Sequence, residues 1–368
     1  MGRGSDAIPI QGLDVRACTI PTDSPESDGT LAWDSTTIVI VEAHAGGRTG
    51  LGYTYASSAA GDVVHGKLAG VVEHRNALDV AASWSAMHDA VRNLGGSGVV
   101  ANAISAVDVA LWDLKARLLD VPLVVALDAC HGVTPIYGSG GFTSYSMDQL
   151  ADQLRGWVDA GIPRVKMKVG RRPDQDGERL RVALDAIGPD TQLFVDANGA
   201  LTRKQALAWA VRYADAGVTW FEEPVTSDDL EGLHLLRDAG PPGLDIAAGE
   251  YGYTLPYFQH MLDAGAVDCL QADVTRCGGI TAFLRVGALC DARTIDLSAH
   301  CAPQVSAHAC TAIWHLRHLE YFHDHVRIES MLFDGVLEPE PGGVLRPDRN
   351  RPGLGLDLKR ADAKRWAA

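Results

Sequence analysis

From about residue 133 the chain repeats one unit, and that repeat constrains the fold more than any other feature. Each unit is a short apolar run, a polar or charged residue at its end, and a helical stretch with its own start signal. The candidate strands are 134–137, 165–169, 193–197, 219–223, 246–250, 269–273, 296–300 and 318–322. Eight such units over about 200 residues predict a closed parallel (β/α)8 barrel of the modified TIM type. Ser146 with Gln149, and Thr202 with Gln205, have the spacing of capping boxes. Several helices should end at Ala-Gly, with Gly161, Gly217, Gly240 and Gly265 supplying left-handed caps.

In such a barrel the chemistry sits at the C-terminal ends of the strands. The residues there are Lys168, Asp196, Glu222, Glu250, Asp273, His300 and Glu320. They follow one another at steps of 28, 26, 28, 23, 27 and 20 residues, each about one strand–helix unit. Their side chains should therefore converge on one mouth. In the run 165–170, Lys166 and Lys168 share a face of one strand, about 7 Å apart at the strand rise. Lysines in an apolar strand are costly to bury unless something there needs them.

The rest of the chain frames the barrel. Residues 1 to about 30 read as irregular, with 22–30 a polar surface loop. Residues 36–42 are rich in β-branched side chains and read as a strand of an antiparallel sheet. From about 61 to 129 apolar residues recur at helical spacing, notably in 103–114. Strands followed by helices make an α+β domain. The expected division is a capping domain over 1–130, the barrel over 131–330, and a segment 331–368 returning to the cap.

The 368 residues suffice for two domains with a sizeable core. A formal charge of −15 without a basic tract argues against a nucleic-acid partner. An acidic protein repels anions at long range, so an acid substrate would need a local metal or lysines to draw it in. No apolar run approaches the length of a membrane span. The start of the chain lacks a charged segment followed by an apolar core, which leads us to expect a cytoplasmic protein. Seven cysteines without C-x-x-C spacing fit reduced thiols there.

Asp196, Glu222 and Glu250 come from three consecutive strands and repel one another unless a cation joins them. All-oxygen ligation suits Mg²⁺, with Mn²⁺ second. Asn198, Glu223 and Asp245 lie nearby in sequence; Glu223 could assist the metal and Asn198 could orient ligands. Asp273 and His300 can form a dyad in which the carboxylate orients the imidazole and raises its basicity. Lys166 and the metal would lower the Lys168 pKa and make a neutral amine available.

Lys166-Met167-Lys168, Asp196-Ala197-Asn198, Trp220-Phe221-Glu222-Glu223-Pro224, Ala248-Gly249-Glu250, Asp273 and His300 together resemble the enolase superfamily, mandelate racemase subgroup. The stretch 104–113 resembles that family's capping-domain helix, so the likeness spans nearly the whole chain. The resemblance implies Mg²⁺ held by Asp196, Glu222 and Glu250, and abstraction of a proton α to a carboxylate through an enediolate. It implies Lys168 as acid/base on one face with Lys166 beside it, and His300 with Asp273 on the other. Glu320 matches a strand-eight glutamate that donates a hydrogen bond to the substrate carboxylate; Glu329 is the alternative. A symmetric homo-oligomer is implied too.

Two opposed proton-transfer groups suit an acid-sugar dehydratase giving a 2-keto-3-deoxy acid, or a racemase or epimerase of a 2-hydroxy acid. A cycloisomerase or amino-acid racemase of the sister subgroup fits less well, because those chains resemble ones with lysine where Asp273 stands. A non-catalytic homologue is the remote alternative. The covering loop, about 18–35, carries Thr, Asp, Ser and Glu with one tryptophan, Trp33, and suits a polyol. It holds no arginine, which favours a mono-acid sugar, although Arg16 and Arg276 leave a diacid open. Tyr137, Ser139, Tyr145 and Tyr251 are candidate hydroxyl partners, Tyr137 and Asn198 foremost for substrate binding.

Overall fold

The computed structural model describes residues 7–367; the first six residues, on which the reading of the N-terminus partly rests, lie outside that range. The chain opens with an antiparallel sheet of β1 (Gly12–Ser27), β2 (Ala32–Ala45) and β3 (Arg48–Tyr55), in that order. Alternation along β2 decides its packing. Val39, Val41 and Ala43 face a core shared with α1 (Val80–Ala90) and α2 (Val99–Leu118), while Ile38 and Ile40 join the core that continues into the barrel. The irregular start expected for residues 1–30 is corrected here: 12–27 is one long strand. Its register breaks only between Pro21 and Glu26, and Glu26 and Ser27 then pair with Trp33 and Ala32. Polar composition suggested a loop, but the strand is specified by its distant partner β2 and not by its own pattern.

The barrel strands are β4 (Thr134–Gly140), β5 (Arg164–Lys168), β6 (Gln192–Asp196), β7 (Trp220–Glu222), β8 (Asp245–Ala248), β9 (Cys269–Ala272), β10 (Asp296–Ala299) and β11 (Leu316–Phe322). Each pairs in parallel with the next, and β11 pairs with β4 to close the ring. Between them run α3 (Met147–Asp159), α4 (Pro173–Ile187), α5 (Arg203–Asp215), α6 (Leu230–Ala239), α7 (Leu255–Asp263), α8 (Gly279–Asp291) and α9 (Pro303–Cys310). Helix α10 (His323–Leu332) follows β11. The chain then returns to the cap, where Thr19 N donates to Trp366 O at 3.0 Å.

Both expected capping boxes form, at Ser146 and Thr202. Gly161, Gly217 and Gly265 adopt positive φ as expected. Gly240 does not: its φ is −71° and ψ 165°. Pro241 follows it, and a proline ring drives the preceding residue into extended backbone. All seven cysteines are free. Among the described residues, no helix is long and apolar enough to cross a membrane.

Candidate active site

The strand ends deliver their side chains to one mouth. Asp273, His300 and Glu250 lie one or two residues beyond their strands, so their backbones can turn inward while the ladder below stays intact. Lys166 is completely buried at the centre, with Nζ 2.6 Å from Glu222 Oε1, 2.8 Å from Glu320 Oε1 and 3.3 Å from Asp196 Oδ2. Burial would lower its pKa, but Glu222 and Glu320 outweigh that and hold it well above the usual lysine range. Lys168 Nζ reaches Asp196 Oδ2 at 2.5 Å.

For Lys168, burial and the Lys166 charge push the pKa down, but Asp196 outweighs them and holds it above the usual lysine value. The lowering expected from Lys166 and the metal together therefore needs the metal's charge, because Asp196 outweighs Lys166 alone.

On the other side, His300 Nδ1 lies 2.7 Å from Asp273 Oδ2. Asp273 Oδ1 accepts from Thr275 N at 2.6 Å and from Thr275 Oγ1 at 2.7 Å. Burial would raise the Asp273 carboxyl, but His300, Arg276 and Thr275 hold it below the usual range. Such a carboxylate fixes the ring tautomer and leaves Nε2 pointing into the site. Nε2 lies 3.2 Å from Glu250 Oε2 and 3.4 Å from Glu320 Oε2.

Asp196, Glu222 and Glu250 are all buried, and one carboxylate oxygen from each lies within 4.8 Å of the other two. Glu250 Oε2 is near His300 Nε2 yet lacks hydrogen-bond alignment, and Glu223 Oε1 and Asn198 Oδ1 have no partner. Burial, then the Glu250 charge, pushes the Glu223 carboxyl well up. Buried acidic oxygens left over after two lysines are counted are what a hard divalent cation satisfies, so the donor set fits Mg²⁺. Asn198 N donates to Asp196 Oδ1 at 2.9 Å, orienting that carboxylate. Asp245 does not join: it stands at the opposite end of its strand and pairs with Arg317.

Glu320 receives Ser139 Oγ at 2.6 Å besides Lys166. Burial would raise its carboxyl, but Lys166, His300 and Lys168 hold it well below the usual range. In this surrounding the carboxylate accepts from Ser139 Oγ and Lys166. Glu329 lies away from the mouth, accepting from Tyr53 Oη at 2.6 Å and from Gln304 N at 3.2 Å. Tyr137 does not reach the cavity either. It is buried inside the barrel against Phe194, Trp220 and His318, and Lys166 Nζ stands 5.3 Å over its ring. Its residue sits too deep on β4 for substrate; its ring instead supports Lys166.

Above the mouth lies a cavity of about 370 Å³ that both domains line. The barrel contributes Lys168, Asn198, Glu250, Tyr251, Arg276, His300 and Glu320; the cap contributes Asp28, Leu31, Trp33, Ser35, Thr36, Thr37, Tyr55 and Ser57. The hairpin tip seats on the barrel at Gly29, where an added Cβ would come 2.2 Å from Ala197 O. Thr143 N donates to Ser27 O at 2.7 Å, and Trp33 meets Phe142 edge-on at 5.6 Å. The lysine and the arginine lining the cavity, Lys168 and Arg276, are both committed: Lys168 Nζ to Asp196, and Arg276 Nε 3.4 Å from Asp273 Oδ2. Arg16 is held on the cap by Glu42 at 2.8 Å. Tyr145 opens into a neighbouring groove instead.

Cys301, Thr36, Thr37, Tyr55 and His325 line the cavity without having been singled out in the sequence. Cys301 Sγ lies 3.2 Å from His300 Nε2, and adjacency to His300 was its only available signal. Its φ of 49° and the 45° of Ala302 are unusual for residues other than glycine. His325 stacks on Tyr55 with centroids 3.4 Å apart. Burial, first among the causes, drives its imidazole down to about 3, so that wall of the cavity is neutral.

A capped barrel, a carboxylate trio and paired lysines together define a class of enzyme fold and site. The description "Mandelate racemase / muconate lactonizing enzyme, N-terminal domain" matches residues 16–127, and "Enolase C-terminal domain-like" matches residues 149–363. The chain belongs to this family, in the enolase superfamily's mandelate racemase group, and is an enzyme. A mandelate racemase/muconate lactonizing enzyme-like protein from Rubrobacter xylanophilus is 61% identical with a TM-score of 0.96, over 98% of this chain and 100% of that one. The 3,6-anhydro-alpha-L-galactonate cycloisomerase of Streptomyces coelicolor is 31% identical over 94% of this chain and 96% of its own. L-talarate/galactarate dehydratase from Salmonella typhimurium, solved with Mg and L-lyxarohydroxamate, is 27% identical with a TM-score of 0.91, over 100% and 95% of the two chains.

Proposed function

We propose that this enzyme dehydrates an acid sugar, most readily a mono-acid, to a 2-keto-3-deoxy acid. The observation that carries the reading is the placement of Lys168 and of the His300–Asp273 dyad on well-separated strands around one carboxylate trio. Bound at Asp196, Glu222 and Glu250, Mg²⁺ would supply Lewis acidity toward the substrate carboxylate and a charge that offsets the pull of Asp196 on the Lys168 proton. Lys168 or His300 takes the α-proton, according to the configuration of the substrate. For the dehydration, His300 gives a proton from Nε2 to the β-hydroxyl as its C–O bond breaks, and water leaves. The resulting enol then becomes the 2-keto product by taking a proton at C3 and losing the one on its C2 hydroxyl. Asp273 holds the imidazole through both transfers. Lys166 stays charged among its three carboxylates and acts by positioning Glu222 and Glu320.

The mono-acid preference rests on the distal wall. Thr36, Thr37, Ser35 and Ser57 offer hydroxyls, His325 is neutral, and neither arginine considered for a second carboxylate is free. The division at about residues 130 and 330, a cytoplasmic location and a symmetric homo-oligomer belong to the same reading. Incubating a panel of acid sugars with the enzyme and Mg²⁺, and assaying 2-keto acid, tests it. A mono-acid should turn over with loss of water; interconversion of epimers without dehydration would sink the proposal.

A racemase or epimerase is the second reading, favoured by the same two proton-transfer groups. It requires exchange of the α-proton with solvent deuterium and no loss of water. One cycloisomerase among the relatives bears on the product: cycloisomerases of the sister subgroup fit the sequence less well, whereas this relative is named for an anhydro sugar acid. Anhydro acids therefore belong in the panel.

A further inference from the structure

Outside the cavity, Asp23 and Glu26 of β1 meet His323 at the start of α10. One ligand atom from each lies within 4.8 Å of the other two. The Asp23 side chain is 47% exposed and Glu26 only 1%, so the cluster has a solvent entrance and a dry floor. His323 Nε2 lies 2.9 Å from Asp23 Oδ2. Glu26 Oε2 accepts from Trp33 Nε1 at 2.7 Å, which leaves Oε1 buried without a hydrogen-bond partner. Asp324, fully buried and close enough for its charge to act on Glu26, also carries an unpartnered oxygen, Oδ2; its Oδ1 takes Arg327 at 2.5 Å. Of these carboxylates only Asp324 is ion-paired with Arg327, and Glu26 Oε1 keeps no hydrogen bond. Buried acidic oxygens with neither hydrogen bond nor counter-charge are unfavourable, and a cation relieves them.

We infer that Asp23, Glu26 and His323 form a second divalent-cation site, for a first-row transition ion such as Zn²⁺, that fastens the cap hairpin to the barrel. One imidazole with two carboxylates suits Zn²⁺ better than Mg²⁺, which prefers oxygen alone. Binding uses the imidazole as a nitrogen ligand in place of its hydrogen bond to Asp23, and a solvent molecule can complete the coordination. The ion joins segments 300 residues apart. Through Glu26 it also steadies Trp33, whose ring lines the cavity. The competing occupant is a proton, since burial and then Asp324 push the Glu26 carboxyl up to about 8. None of this depends on the reaction proposed above.

The test uses the full-length chain, stripped of metal, held in saturating Mg²⁺ and then given Zn²⁺. Metal retained after gel filtration is counted for the wild type, Asp23→Asn and His323→Gln. The wild type should keep one Zn²⁺ per chain more than either variant. At ten times the dissociation constant, that ion should slow amide exchange across 21–31 by about tenfold in the wild type alone. Equal retention in all three proteins overturns the site. An extra ion that leaves exchange across 21–31 unchanged overturns its fastening role. Asp23 is exposed, so its variant reports on the ligand with the fold kept.

Discussion

At the barrel mouth one buried ammonium, Lys166, touches carboxylates from three strands, whereas the hairpin 21–31 holds the barrel through scattered hydrogen bonds and one glycine contact. The first arrangement is cross-linked: every member is fixed by at least one opposite charge, and removal of one strands the others. The second is a surface laid over that mouth, with hydroxyls and a tryptophan facing inward. Rigid strand ends can hold reacting groups to the tolerance that proton transfer requires. A docked hairpin can vary its side chains without disturbing them. On the proposed function, chemistry and selection are carried by different parts of the chain.

Four substitutions probe that contrast. Lys168→Ala and His300→Asn should each lower kcat by about 10²- to 10⁴-fold with an unchanged circular dichroism spectrum. A variant of either kind that retains full turnover would break the assignment of chemistry to the mouth. Gly29→Ala is expected to cost about 10²-fold in kcat/KM, because a Cβ cannot fit against Ala197 O and the hairpin must lift. If its steady-state constants match the wild type, the hairpin is not closed during catalysis. Trp33→Phe removes the hydrogen bond to Glu26, worth about 1 kcal/mol, and should raise KM about fivefold at nearly constant kcat. A fall in kcat instead would blur the separation.

A test read in stability in place of rate concerns the seam between cap and barrel at Glu329. Burial pushes its carboxyl from the usual 4.5 up to about 8, against the hydrogen bonds from Tyr53 and Gln304. The native state then holds a proton that the unfolded chain has released, so stability falls as pH rises from about 4.5 to about 8 and levels off above. Glu329→Gln should flatten the fall in Tm across that window, as scanning calorimetry would register. An unaltered slope would mean that Glu329 is ionised in the folded protein.

Much of the site was legible because barrel geometry turns sequence spacing into spatial convergence. Asp196, Glu222 and Glu250 group by spacing alone, since each lies at or just beyond a strand end one unit after the last. His300 and Asp273 followed from the same count. Glu320 and Glu329 could not be separated that way. Both are glutamates near the end of the last unit, and only packing shows one at Lys166 and the other under Tyr53. Tyr137 was misread because a tyrosine on a barrel strand can point at substrate or into the layers below, and depth along the strand decides which. The hairpin was misread because polar residues conceal a strand whose partner lies beyond the turn.

The repeat of strand and helix, the order of the carboxylates around the mouth and the left-handed caps at Gly161, Gly217 and Gly265 are local or periodic properties, so the amino-acid sequence determined them alone. Protonation was not local. The Lys168 ammonium is set by a sum over Asp196, Lys166 and burial, and that sum exists only after three strands have met. The covering of the site was not local either: Gly29 on Ala197, Trp33 on Phe142 and Asp23 beside His323 are contacts between segments far apart in the chain. Tertiary structure decided those, because burial and charge act through space and not along the backbone.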